Sequence, residues 1–181
     1  MRFSRTKVIG AYEIEIEPIY DERGFFARTW CEEEFRRQGL NARLVQCSIS
    51  FNAKKNTLRG MHYQLPPHAE SKLVRCTRGS IYDVILDLRP NSPTFCHWVA
   101  VVLGAGKRNM VYVPEGCAHG FLTLEHNCEV FYQMSESYHA DSARGVRWSD
   151  PAFQIQWPAP VEVISDRDRT YPEFRKNHEF A

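Results

Sequence analysis

Between Arg43 and Met134 the sequence breaks into eight short runs, at residues 43–51, 57–64, 72–76, 80–88, 97–103, 110–113, 117–124 and 128–134. Each is rich in Val, Ile, Tyr or Phe, and every gap between them holds Gly, Pro or Asn. Runs of this length suit strands rather than helices, and their regular spacing predicts a β-sandwich or barrel.

The flanks are read the same way. Val8–Ile19 alternates, with Tyr12, Ile14 and Ile16 on one parity and Glu13, Glu15 and Glu17 on the other, which predicts a strand with one wet face. Asp21-Glu22-Arg23-Gly24 is turn chemistry, and Phe25–Trp30 is a second strand. Cys31–Gln38 carries its acids first and its bases last, with Gly39 after it, so it is expected to be a helix. The tail at 150–181 is rich in Pro and charge, has one strand-like run at Val161–Ile164, and reads as loop or short helix packed on the rest. With no repeat, low-complexity stretch or linker, residues 1–181 are expected to form one domain.

Composition narrows the function classes. The chain has 23 basic against 22 acidic side chains, which gives no electrostatic case for nucleic acid. No apolar run approaches the roughly 20 residues needed to span a bilayer. The N-terminus lacks the apolar core of a signal peptide. Six cysteines form no CxxC pair and read as small buried hydrophobes, so a reducing cytoplasmic setting is expected.

The densest chemistry lies in Leu58–Gly79, LRGMHYQLPPHAESKLVRCTRG. Period two puts Leu58, Gly60, His62 and Gln64 on one face and Arg59, Met61 and Tyr63 on the other. Pro66-Pro67 ends the ladder and a second strand returns from Lys72. Such a hairpin would hold a proton-transfer group, His62, and a fixed cation, Lys72, over a common pocket. Arg59 falls on the wrong face unless Gly60 introduces a twist or bulge.

Two blocks, GMHYQLPPHAESKLVRCTRGSIYDV and VPEGCAHGF, resemble the paired motifs of a cupin, a jelly-roll barrel. Metal cupins carry HxH and Glu in the first block and His in the second. Here the set would be His62, Gln64, His68, Glu70 and His119, and a carboxamide is a poor substitute for an imidazole ligand, so no metal is expected. The resemblance extends further. DERGFF at 21–26, LRGMHYQLPPHAESKLVRC at 58–76, DLRPNSPTF at 87–95, PEGCAHGF at 114–121, Tyr132 with Tyr138, RGVRWSDPAF at 144–153 and ISDRD at 164–168 follow in order. Together they resemble the dTDP-4-dehydrorhamnose 3,5-epimerase family over nearly the whole chain.

That resemblance implies an all-β, cupin-type double-stranded β-helix with short peripheral helices. It implies a homodimer that exchanges N-terminal strands (residues 8–30 here), no cofactor, and a nucleotide-diphosphate 4-keto-6-deoxyhexose as substrate. Protons at C3 and C5 of such a sugar lie α to the ketone. Inversion needs a base on one face, a donor on the enolate oxygen and an acid on the opposite face. Carried over from the family, His62 is the base, Asp168 its dyad partner, Lys72 the oxyanion donor and Tyr132 the acid. Arg23 and Arg59 would grip the diphosphate, Asp83 and His119 would line the sugar, and Tyr138 would stack on the base. Phe26, Arg28, Gln46 and Ser48 fall at nucleotide-contact positions. In the family text Arg28 is usually Glu and Ser48 usually Asn, which leaves the base open between thymine, cytosine and uracil. A single-carbon epimerase, a 3,4-ketoisomerase and a cupin that binds without turnover are the rival readings.

Overall fold

The computed structural model describes residues 1–174. Along the chain run β1 (Arg2–Arg5), β2 (Tyr12–Glu15), β3 (Ile19–Asp21), β4 (Gly24–Phe26), α1 (Glu32–Arg37), β5 (Gln46–Asn52), β6 (Leu58–Gln64), β7 (Lys72–Arg78), β8 (Ser80–Asp87), β9 (Trp98–Gly104), β10 (Met110–Val113), β11 (Cys117–Thr123), β12 (Cys128–Met134), β13 (Ala143–Gly145) and α2 (Asp166–Arg169). The eight predicted runs correspond to β5–β12, and the predicted helix to α1.

Two antiparallel sheets face each other, in the orders β1-β2-β10-β7-β12-β5 and β13-β6-β11-β8-β9. This is the expected jelly-roll arrangement. Alternation along the strands sends Val74, Cys76, Val111, Val113 and Val130 of the first sheet against Ile81, Ile85, Leu103, Cys117 and Phe121 of the second. The opposite face of the five-stranded sheet is covered by the C-terminal segment, whose Phe153, Ile155, Trp157 and Phe174 pack on Met61, Tyr63, Val84 and Leu86. The opposite face of the six-stranded sheet packs Leu73, Met110 and Tyr112 on Phe35 of α1 and on Trp30. Central strands are therefore covered on both faces, which is why β11 is buried at every position, His119 and Thr123 included.

Several expectations are corrected. The strand expected over Val8–Ile19 pairs only at Tyr12–Glu15, because Pro18 cannot donate to a ladder and the chain resumes as a separate hairpin, β3–β4. Phe25–Trp30 shortens to the end of that hairpin. β1 was not foreseen, since Arg2–Arg5 is a polar edge with no apolar period. Val161–Ile164 contributes a single parallel bridge, Thr57 to Val163.

The β6–β11 pair carries the irregularity that positions the site. His62 is opposite His119 and Arg59 is opposite Phe121, so three residue steps on β6 match two on β11. The extra residue is a bulge at Gly60, whose φ is +133°. A Cβ there would lie 2.5 Å from the Gly120 Cα, so only glycine fits.

Candidate active site

At one end of the space between the sheets, apolar packing gives way to a cavity of about 340 Å³. The five-stranded sheet contributes His62, Gln64 and His119 to its wall. The six-stranded sheet contributes Gln46, Ser48, Ser50, Lys72 and Tyr132. Histidine and phenol thus approach the same volume from opposed sheets.

His62 Nε2 lies 2.6 Å from Asp168 Oδ1. Because a carboxylate only accepts, Nε2 carries the proton and Nδ1 is left as the basic atom. Asp168 is buried at the start of α2, where its own N–H donates to the Ser165 hydroxyl. Burial alone would raise its carboxyl. Bonds from His62, the Gly60 N–H and Ser165 outweigh that and hold it below the ordinary carboxylate range. The Tyr171 ring stands edge-on to His62 with 6.3 Å between ring centres and occupies the slot that the missing side chain of Gly145 leaves open.

A second buried pair sits deeper. His119 Nε2 bonds Asp83 Oδ2 at 2.8 Å, and the other Asp83 oxygen is buried with no hydrogen-bond partner among the described residues. The Tyr132 ring meets His119 edge-on at 6.0 Å. Burial pushes the Tyr132 phenol well up, and the Asp83 charge pushes it further, against a smaller opposite pull from Arg59. Tyr132 is therefore held protonated, as an acid must be.

Lys72, buried at the start of β7, donates to the His62 carbonyl at 3.2 Å and pairs with Glu70 Oε1 at 3.0 Å. Arg59 also lines the cavity, so the Gly60 bulge brings it round to the side of His62. Its Nε donates to Asn52 Oδ1 at 2.7 Å. Gln46, Ser48 and Tyr138 form the outer wall, with the Tyr138 N–H donating to Gln46 Oε1 at 3.1 Å.

Three residues expected at the site are elsewhere in this chain. Arg23 is exposed on the β3–β4 turn and pairs with Asp21 at 2.5 Å. Phe26 is 78% exposed, and Arg28 pairs with Glu34 of α1 at 2.9 Å. All three belong to the projecting N-terminal hairpin and its continuation, which does not reach the cavity of its own chain.

Other residues at the site were not foreseen. Glu70, named from sequence only as a metal-cupin position, lines the cavity as a partner of Lys72. Gln64 donates to the His68 and Ser137 carbonyls and accepts from the His139 N–H, so it ties the loops after β6 and β12 together. Asn52, buried at the end of β5, orients Arg59. Arg144 and Arg167 add positive charge to the wall. Only pairing across strands distant in sequence reveals these roles, although the Glu70-x-Lys72 spacing was visible. Among the described residues, no group of three His, Cys, Asp or Glu side chains converges to hold a metal ion. His62 and His119 are each engaged by a separate carboxylate instead.

A jelly roll with a histidine on one sheet paired to a carboxylate from α2, a protonated phenol on the other sheet and arginines on the cavity wall has the layout of an acid–base enzyme of the cupin class. Residues 5–176 match the family model described as dTDP-4-dehydrorhamnose 3,5-epimerase. The enzyme of that name from Methanothermobacter thermautotrophicus is 41% identical over 179 residues, covering 97% of this chain and 96% of its own. Among solved structures, the Elizabethkingia anophelis epimerase superposes with a TM-score of 0.95 at 35% identity, covering 99% of both chains. The Bacillus anthracis epimerase, solved with TDP and PPi bound, gives 0.91 at 38% identity, covering 96% of this chain and 99% of its own. The chain belongs to the dTDP-4-dehydrorhamnose 3,5-epimerase family, an isomerase family of deoxysugar nucleotide biosynthesis.

Proposed function

We propose that this protein inverts C3 and C5 of a dTDP-linked 4-keto-6-deoxyhexose by proton transfer through an enolate. One observation carries the reading: His62, paired with Asp168 of α2, and Tyr132 stand on opposed sheets across one cavity. A base and an acid on opposite sides of a sugar ring are what inversion requires, because return of the proton to the same face regenerates the substrate. His62 Nδ1 takes the proton α to the ketone, and Asp168 stabilises the imidazolium that forms. The developing oxyanion is met by the Lys72 ammonium. Tyr132 delivers a proton to the other face. His119 and Asp83 hold the sugar hydroxyls, Arg59 takes the diphosphate, and Gln46, Ser48 and Tyr138 face the base.

The reading includes a homodimer in which each hairpin supplies Arg23, Phe26 and Arg28 to the partner's site. The hairpin presents Ile19 and Tyr20 at 74% and 72% exposure, and the edge strand β5 presents Ile49 at 62% and Phe51 at 50%. Apolar surface of this extent on an open edge is what pairing of two copies would cover. A reducing, cytoplasmic setting fits the free thiols of Cys31, Cys47, Cys76, Cys117 and Cys128.

The test is incubation with dTDP-4-keto-6-deoxyglucose in D₂O, followed by NMR. Deuterium at both C3 and C5 is the expected result. Label at one carbon alone identifies a single-site epimerase. No label with dTDP-, UDP- or CDP-linked substrate would overturn the assignment.

A further inference from the structure

We propose that Glu70 is a positioning residue for the reaction, one that fixes and compensates the Lys72 ammonium so that a single N–H is left for the substrate's carbonyl oxygen. The inference rests on the proposed function for its chemistry and on the geometry for its parts. The Lys72 and Glu70 side chains are only 9% and 10% exposed, and both line the cavity. An ammonium taken this far from water is costly unless an opposite charge and hydrogen bonds replace its hydration. Glu70 Oε1 at 3.0 Å supplies the charge, and the His62 carbonyl at 3.2 Å supplies a second acceptor. An ammonium has three N–H donors, so these two partners leave one.

The carboxylate is itself held. Its other oxygen lies 3.3 Å from Gln64 Nε2, whose two N–H groups are shared between Glu70 and the nearer His68 and Ser137 carbonyls, and Gln64 is 97% buried. Glu70 Oε1 and the His62 carbonyl therefore hold the end of the flexible lysine stem at one position on the cavity wall, with the shared Gln64 contact behind the carboxylate. A cation on a four-carbon stem without such a brace samples many rotamers, and each misplacement weakens its contact with a developing oxyanion. Glu70 touches Lys72 rather than the reacting atoms, so its contribution passes through the lysine.

That dependence sets the test, which uses the full-length protein and a fold-preserving change. Glu70→Gln keeps the size of the side chain and removes its charge. It is expected to lower kcat about tenfold with KM within about twofold of wild type, the pattern of an interaction realised in the transition state. In a Lys72→Met background the same change is expected to cost less than about twofold, since the group it positions is gone. An unchanged kcat for Glu70→Gln, or an equal tenfold loss in the Lys72→Met background, would overturn the proposal. A second arm does not depend on turnover. In protein carrying ¹³C-lysine, the Lys72 ε-methylene protons are expected to be inequivalent in wild type, as for a fixed rotamer, and to collapse to one averaged signal in Glu70→Gln. If wild type itself shows an averaged Lys72 signal, the bracing role fails whatever the enzyme turns over. If the signal is fixed but no 4-keto sugar is turned over, the proposed function fails and the brace stands.

Discussion

At the residue scale the proposed mechanism divides the site into groups that move protons and groups that keep those groups in place. Asp168 is of the second kind. Its carboxylate sets which imidazole nitrogen of His62 is basic, so Asp168→Asn should lower kcat by about 10²–10⁴-fold while leaving the fold intact, measured by steady-state turnover beside thermal unfolding. Asn52 acts similarly on Arg59. Asn52→Ala should free the guanidinium and raise KM for the nucleotide sugar several-fold with little change in kcat. The residues proposed to move protons, His62 in GMHYQ and Tyr132, and the dyad partner Asp168 in ISDRD, were legible in sequence through the family resemblance. Glu70 and Asn52 were not. Asn52 acts through a partner fixed only by tertiary pairing, and Glu70 was named in sequence as a metal-cupin position, with its pairing to Lys72 left unread.

At the scale of elements, a single bulge decides whether β6 can serve the site. Strict alternation from Leu58 to Gln64 would have put Arg59 and His62 on opposite faces. The extra residue at Gly60 restores them to one cavity. Sequence could name Gly60 as the place for such a device but not whether it is used, since that depends on contact with Gly120 from a strand some sixty residues on. Gly60→Ala forces a Cβ to 2.5 Å from backbone at a positive φ, and it should destabilise the protein by about 2–4 kcal/mol in urea unfolding and abolish turnover.

The turn after β8 is held by a different device. Asp87 is fully buried, and although burial would raise its carboxyl, bonds from Arg89, Ser92, Thr94 and the Arg89 N–H bring it down to about 2 from an ordinary 3.8. A carboxyl depressed in the folded state stabilises it above the ordinary value, and that contribution disappears as pH falls through the folded one. About 2 kcal/mol of stability should therefore be lost between about pH 4 and pH 2, and Asp87→Asn should flatten this part of the stability–pH curve.

For the whole molecule, the two-sheet architecture followed from eight strand-like runs, and the ends of the chain were less legible. The N-terminal strands are short, polar or interrupted by Pro18, so they carry little period. Their exposed apolar residues are the surface that the proposed homodimer would cover. Mixing an inactive Arg23→Ala variant with an inactive His62→Ala variant should restore turnover, because a mixed dimer would hold one site with both wild-type residues. Recovery would be absent if each chain worked alone.

The opposed placement of base and acid makes the sharpest demand of all, and C5 of the sugar reports it directly. In D₂O, Tyr132→Phe is expected to place deuterium at C5 with the original configuration kept, since His62 still removes and returns the proton on its own face. His62→Asn is expected to give neither exchange nor inversion. Inversion at the wild-type rate by Tyr132→Phe, or exchange by His62→Asn, would contradict a mechanism in which the two sheets divide the proton transfers between them.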